Sequence, residues 1–114
     1  MKLSIVDPEG LLTPELNDLL ERRLLFALSR FDSRISQIAV TFSDTNGVRG
    51  GLDKECCMNV KLYRAENVTV SDQDADVAAC IARTAARVGR AVGRAVERAR
   101  RLDRSGFLGT KESS

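Results

Sequence analysis

The stretch DADVAACIARTAARVGRAVGRAVERARRL, residues 74–102, determines the fold expected for this chain. At 100° per residue, its apolar side chains fall on one side of a helix and its arginines on the other. The apolar positions are Val77, Ile81, Ala85, Val88, Val92, Ala95, Val96 and Ala99. The co-facial arginines are Arg83, Arg87, Arg90, Arg94, Arg98 and Arg101. The pattern predicts an amphipathic helix that covers a sheet and turns its arginines toward solvent.

This helix also carries nearly all of the positive charge. Residues 1–82 contain nine Lys and Arg against thirteen Asp and Glu, a net charge of −4. Residues 83–104 contain eight Arg against Glu97 and Asp103, a net charge of +6. Because the whole chain is only +2, one short segment generates the positive field.

Three strands are expected upstream of this helix. Residues 36–42 alternate in polarity, a second strand covers residues 56–63, and residues 68–71 form a short third strand. Residues 44–53 contain Asn-Gly and Gly-Gly pairs and are predicted to form a loop. Residues 72–76 supply acids that cap the final helix. One face of the first of these strands is predicted to carry Ser36, Ile38, Val40 and Phe42.

The N-terminal part predicts one more strand and a first helix. Residues 2–6 alternate in polarity and stop before Pro8. Thr13 followed by Pro14 and Glu15 is typical of a helix start, with a capping hydroxyl and an acid in the first turn. The apolar face of this helix is formed by Leu16, Leu20, Leu24, Ala27, Leu28 and Phe31. The expected fold class is therefore α+β, in the order β-α-β-β-β-α.

Length and composition indicate one soluble domain. A chain of 114 residues with 43% hydrophobic and 30% charged residues has room for a single core. The first residues hold no signal-peptide core and no membrane span, so a cytoplasmic location is expected. Residues 1–104 are predicted to form the domain and residues 105–114 a loose tail.

The chain offers little for catalysis or metal binding. It has no histidine, and its cysteines, Cys56, Cys57 and Cys80, form no CxxC pair, so neither a metal nor a cofactor is expected. Cys56 and Cys57 point to opposite faces of a strand, which argues against a disulfide between them. Without a nucleophile motif or a phosphate loop, Cys57 is the remaining catalytic candidate, and an isolated thiol is usually inert. The chain is not expected to be an enzyme.

The arginines of the final helix favour a polyanionic partner. Like charges four residues apart, such as Arg90 and Arg94, each cost about 0.2–0.5 kcal/mol, and Glu97 alone compensates them within the helix. Arginine suits phosphate through its planar fork of donors. Because Phe31 and Phe42 fall on predicted core faces, no platform for stacking unpaired bases is expected, and shape recognition of folded RNA is favoured.

Three arginines of the first helix are further candidates for this surface. Arg22 lies away from the apolar face and extends the basic surface if the helices run side by side. Arg23 and Arg30 flank the core, so they either join the surface or lay their aliphatic stems along apolar side chains.

Several segments resemble the family of hibernation-promoting factor and ribosome-associated inhibitor A. They are Leu12-Thr13 at the start of the first helix, residues 30–35 at its end, and residues 74–77 at the start of the second. The resemblance spans residues 1–101 and places Arg87, Arg90 and Arg94 at basic positions of the family. Ala78, Cys80 and Ala82 differ from the family pattern.

The resemblance implies both a fold and a function. The implied fold is a four-stranded mixed sheet with two helices on one face, similar to double-stranded-RNA-binding domains. The implied function is binding to structured rRNA of the small ribosomal subunit, in the channel used by messenger and transfer RNA, so that translation stops in resting or stressed cells. Neither a membrane nor a small-molecule substrate is implied, and the length corresponds to a short form of the family.

A protein-interaction module is the competing interpretation. In it, the second helix pairs with an acidic protein or with its own copy, along the small-residue flank formed by Ala82, Ala86, Gly89 and Gly93. Ribonuclease treatment separates the two hypotheses, since an acidic protein partner survives it.

Overall fold

The computed structural model describes residues 2–44 and 54–109, with side chains described as far as residue 102. Of the predicted loop at residues 44–53, Asp44 belongs to β2 and residues 45–53 lie outside this part, as do the last five residues, 110–114. The elements are β1 (Lys2–Val6), α1 (Pro14–Leu28), a 3-10 helix (Ser29–Arg34), β2 (Ile35–Asp44), β3 (Lys54–Leu62), β4 (Val68–Asp74) and α2 (Val77–Gly109). This order confirms the predicted α+β class.

The four strands form one mixed sheet. Its spatial order is β1-β2-β3-β4, with β1 parallel to β2 and the other neighbours antiparallel. Alternate residues of each strand face the helices, and the buried residues of α1 and α2 pack in one cluster with them. The predicted sheet with both helices on one face is therefore confirmed.

The link from β1 to α1 is fixed by local hydrogen bonds. The carboxylate of Asp7 accepts from the backbone N–H groups of Leu11 and Leu12, each at 2.9 Å. Gly10 has a φ of +68°, a left-handed conformation that glycine adopts without steric cost. Thr13 Oγ1 then accepts from the Leu16 N–H at 3.1 Å, and α1 begins at Pro14, as predicted.

The strands follow the predicted alternation with one difference. The register shifts between Ile35 and Gln37, so Ile35 is buried while Ser36 is half-buried. This irregularity adds a residue on β2 and turns Ile35 rather than Ser36 toward the core. On β3, Cys56 is buried and Cys57 half-buried, on opposite faces of the sheet, and all three cysteines are free.

The boundaries of the last strand and helix differ from the prediction. β4 continues to Asp74, so two of the acids expected to cap α2 belong to the strand. Asp76 provides the cap, since its carboxylate accepts from the Ala78 N–H at 3.0 Å. α2 ends at Gly109 rather than near Leu102. Residues 105–109, predicted as the start of a loose tail, are therefore helical, because that stretch contains no proline and a glycine costs a helix only about 1 kcal/mol.

The two helices approach closely at Gly89. A methyl group at this position would lie 3.0 Å from Ala27 Cβ and 3.2 Å from the Ala27 carbonyl oxygen. At Gly93, a methyl group would meet the Phe31 ring at 3.5 Å. The two glycines of the flank considered for a partner helix therefore face this chain's own segments: Gly89 packs against α1 and Gly93 against the 3-10 helix. None of the helices in the described residues is apolar enough over a sufficient length to cross a membrane.

Candidate nucleic-acid interface

The predicted arginines of α2 lie along one exposed face of the helix. All of them are exposed, whereas Val88 and Val92 on the opposite face are 0% exposed. The predicted orientation of α2 is therefore confirmed. We call this set the arginine stripe: Arg83, Arg87, Arg90, Arg94, Arg98 and Arg101.

The N-terminal part of the arginine stripe is bound to carboxylates of β4. Arg83 Nε donates to Asp72 Oδ2 at 2.6 Å, and Arg83 Nη2 lies 3.1 Å from Asp74 Oδ2. Arg87 Nη1 donates to the same Asp72 oxygen at 3.2 Å and to the Ser71 carbonyl oxygen at 3.1 Å. The expectation that Glu97 alone compensates the arginines is therefore wrong at this end, where the acids come from β4 and not from the helix. The sequence prediction ended β4 before Asp72, which concealed this contact.

These contacts lower the pKa values of the two acids of β4, Asp72 and Asp74. The hydrogen bond from Arg83, followed by one from the Gln73 backbone, lowers the pKa of Asp72 to about 2. The pKa of Asp74 is also lowered, chiefly by the Asp76 backbone N–H and then by Arg83. Both carboxylates are therefore ionised at neutral pH and offset much of the charge of Arg83 and Arg87.

Within the described residues, the C-terminal part of the stripe makes long ion pairs. Arg98 Nη2 lies 3.7 Å from Glu66 Oε1, and Arg101 Nη1 lies 3.8 Å from Glu97 Oε2. Arg100, outside the stripe, is 3.9 Å from the other Glu97 oxygen. All of these side chains are largely exposed, and exposed pairs contribute about 0–1 kcal/mol. Such pairs open readily when a phosphate competes for the guanidinium group.

The centre of the stripe is formed by Arg90 and Arg94. Among the ion pairs of the described residues, none involves Arg90 or Arg94. Both line an open groove of about 800 Å³ between α2 and the 3-10 helix, together with Arg30. Glu97 is the acid in this lining, against six arginines. We call it the basic groove.

The arginines that α1 and the following 3-10 helix bring to this surface are Arg23 and Arg30, and not Arg22. Arg22, Arg23 and Arg30 are all exposed. Arg30 lines the basic groove, and its guanidinium carbon lies 4.7 Å from the centre of the Phe31 ring. Arg23 and Arg30 line a second groove between the helices together with Arg90. Arg22 lines neither groove, so the structure brings Arg23 and Arg30, rather than Arg22, to the arginines of α2.

Sequence reasoning missed one aromatic residue in this region. Phe26 is 88% exposed on α1 and lines the second groove. It follows Leu24 by two residues and therefore points 200° away from the buried Leu24 side chain, a signal that a helical wheel of α1 contains. The expectation that no aromatic ring is available for stacking is therefore wrong at Phe26.

The fold is shared with solved structures of bacterial proteins. No model of a known protein family matches the sequence, and no curated protein matches it. A ribosomal subunit interface protein from Coxiella burnetii has a TM-score of 0.67 at 18% identity, over 82% of this chain and 96% of the other. The N-terminal domain of Protein Y from Thermus thermophilus has a TM-score of 0.66 at 23% identity, over 82% and 98%. The resemblance found in the sequence is thus confirmed at the level of the fold.

Proposed function

We propose that this protein is a non-catalytic, cytoplasmic factor that associates with the ribosome. It binds structured rRNA of the small subunit through the basic groove and represses translation in resting or stressed cells. Arg90, Arg94 and Arg30 form the centre of the binding surface. Arg98 and Arg101 extend it along α2, and Arg23 extends it along α1. Three of the predicted arginines contribute less to RNA binding. Asp72 pairs with Arg83 and Arg87, and Arg22 lies outside both grooves.

The observation that carries this proposal is the uncompensated charge at the centre of the arginine stripe. Arg90 and Arg94 are one helical turn apart and repel each other, and a bound phosphate relieves this repulsion. The arginines lie exposed along α2 and line an open groove, which suits contacts to a folded RNA backbone rather than enclosure of a small molecule.

The solved structures of the same fold support the ribosome as the site of this RNA. One of them is described as a ribosomal subunit interface protein. A basic surface on such a protein is suited to the phosphate-rich interface between subunits. Occupation of the small-subunit channel used by messenger and transfer RNA then accounts for repression.

Sedimentation of cell lysates tests the proposal. The variant R90E/R94E is compared with K2E/K61E, which makes the same change in charge on the opposite face of the sheet. The wild type and K2E/K61E are expected to sediment with the small subunit, and R90E/R94E is expected to remain at the top of the gradient. Association of a folded R90E/R94E with ribosomes as strong as that of the wild type contradicts the proposal.

The same gradient distinguishes a protein-interaction module. Ribonuclease treatment before centrifugation is expected to release the protein from every fast-sedimenting fraction. Retention in a large complex after ribonuclease treatment would indicate an acidic protein partner instead. Use of the Gly89 flank by α1 leaves less of the small-residue surface available for that alternative.

A further inference from the structure

Phe26 has no structural task that accounts for its position. The ring is 88% exposed. Of its chain neighbours, Leu25 is 55% exposed and Ala27 packs against Gly89. An exposed ring gains little from burial, and phenylalanine has a lower helix propensity than leucine, lysine or arginine. Stability therefore gives no reason for a phenyl group at this site.

The surroundings of Phe26 on α1 are basic. Arg22 and Arg23 precede it by four and three residues, and Arg30 follows it by four. The two that precede it lie on α1 at spacings that make residues neighbours on a helix surface. Arg30 lies in the 3-10 helix that follows and lines the same groove as the ring.

Phe26 also forms one wall of the second groove between the helices, which we call the Phe26 groove. The charged residues that line this groove are Arg23, Arg30 and Arg90, and its floor consists of small residues. The floor residues are Ala27, Ala82, Ala85, Ala86 and Gly89. The groove has a volume of about 340 Å³, within the range of about 300–1,000 Å³ for ligand sites. No acidic residue of the described chain belongs to this lining.

We propose that Phe26 is a stacking site for a single unpaired nucleotide of the bound RNA. The base lies on the exposed phenyl face, and the phosphates that flank it contact Arg23, Arg30 and Arg90. Base-aromatic stacking next to a positively charged groove is the chemistry by which proteins hold unpaired nucleotides. This inference rests on the proposed RNA-binding function and assigns it a local element of the RNA: a bulge or loop nucleotide beside a duplex.

Two features favour RNA over an apolar protein segment as the occupant. An apolar segment on Phe26 would bury three unpaired guanidinium groups, which is costly. In contrast, a nucleotide supplies a flat apolar face and a negative charge together. Arg30 and Arg90 line both the Phe26 groove and the basic groove. One RNA that binds the basic groove therefore passes Phe26 without a break in positive charge.

Binding to two matched RNAs tests the inference. One is a perfect duplex of about 16 base pairs, the length that double-stranded-RNA-binding domains span. The other contains the same duplex with one unpaired 2-aminopurine, whose fluorescence falls when the base stacks. The wild type is expected to bind the second RNA about 5- to 150-fold more tightly, which is the value of one stacked base converted at 1.4 kcal/mol per tenfold. Binding is also expected to quench its fluorescence.

Variants at Phe26 separate stacking from simple apolar contact. F26A and F26L are expected to bind the two RNAs equally and to leave the fluorescence unquenched, while F26Y keeps both effects because it keeps the ring. L25A, which truncates the exposed neighbour on the other side of α1, is the control and is expected to behave like the wild type.

The outcomes distinguish this inference from the proposed function. If the wild type prefers neither RNA and F26A binds both as tightly as the wild type, the stacking site is overturned while RNA binding stands. If the wild type binds neither RNA, the proposed function and the inference both fail. If F26A keeps the RNA preference but loses a ribonuclease-resistant partner, Phe26 contacts a protein and the inference is overturned.

Discussion

Asp72 Oδ2 accepts a hydrogen bond from Arg83 Nε at 2.6 Å, and this contact joins the end of β4 to the second turn of α2. The same oxygen also accepts from Arg87. The carboxylate of Asp72 therefore pairs with the first two arginines of the stripe and with none of the others in the described structure. The arginines nearest the helix N-terminus are held by the protein itself, while Arg90 and Arg94 remain available to a partner.

The first prediction concerns the affinity for RNA after this carboxylate is neutralised. D72N removes the carboxylate that pairs with Arg87 and one of the two that pair with Arg83, so RNA binding is expected to strengthen. For the wild type, four to six phosphate contacts give a slope of log affinity against log salt of about −3 to −5. In D72N the slope is expected to become steeper by about 1–2, since up to two more arginines reach phosphates. Fluorescence anisotropy over a salt series measures both quantities.

D18N is the matched control for this experiment. It makes the same change in net charge at an exposed position of α1. If D72N and D18N gave the same slope, the carboxylate of Asp72 would have no specific hold on the stripe.

The second prediction concerns stability and pH. The pKa of Asp72 is lowered to about 2 in the folded protein, against about 3.9 in an unfolded chain. The ionised carboxylate therefore stabilises the fold above about pH 4, and this contribution is lost as the pH falls through about 2. D72N is expected to be less stable than the wild type at pH 7, by on the order of 1 kcal/mol, and the difference should shrink toward pH 2. Urea titrations at several pH values measure it, and a difference that grew on acidification would contradict the assignment.

The third prediction concerns the buried face of α2. Val92 is 0% exposed, so V92D places an unpaired charge in the core and is expected to cost several kcal/mol, enough to unfold much of the population. A86D introduces the same group at an exposed position of the same helix and should melt close to the wild type. Circular dichroism melts compare the three proteins. Equal melting of V92D and the wild type would mean that the orientation of α2 is wrong.

The fourth prediction concerns the thiols. Burial raises the pKa of Cys56 to about 12 and also raises that of Cys80, so neither forms a reactive thiolate in the native protein. Cys57 lies half-buried on the open face of the sheet, away from the helices. Mass spectrometry after mild alkylation is expected to show modification at Cys57 alone, with RNA binding unchanged. Loss of binding would make this thiol part of the functional surface.

The elements that were predicted correctly are those determined by residues close to one another in the sequence. The three- and four-residue spacing of Val88 and Val92 fixes the buried side of α2, because a helix returns to the same face after about that interval. The alternation through Cys56 and Cys57 fixes both faces of β3, because a strand has a period of two. Thr13 and Pro14 fix the start of α1 by capping chemistry that involves only neighbouring residues.

The features that were missed depend on which parts of the chain meet in space. Asp72 and Arg83 are eleven residues apart, and their contact exists only because β4 continues past Ser71 beside α2. The register shift at Ile35 depends on the partner strand rather than on the β2 sequence. Phe26 was overlooked because only Phe31 and Phe42 were placed on helix and strand faces, although the position of Phe26 on the helical wheel points away from Leu24.

The last prediction tests the close packing that forms the floor of the Phe26 groove. A methyl group in G89A would come within 3.0 Å of Ala27 Cβ and 3.2 Å of the Ala27 carbonyl oxygen. Overpacking of this kind costs about 1–3 kcal/mol, which exceeds the gain of about 1 kcal/mol from alanine in a helix. G89A is therefore expected to lower the free energy of unfolding.

G93A is the matched comparison, because its methyl group would make an ordinary 3.5 Å contact with the Phe31 ring and should stabilise the protein by about 0.4–1 kcal/mol. A27G alone should cost about 1 kcal/mol, as glycine does in a helix, but G89A should cost less in the A27G background than in the wild type, because one of the two close contacts is absent. Thermal and urea unfolding of these proteins measure the differences, and equal stabilisation by G89A and G93A would show that the helices do not meet at Gly89.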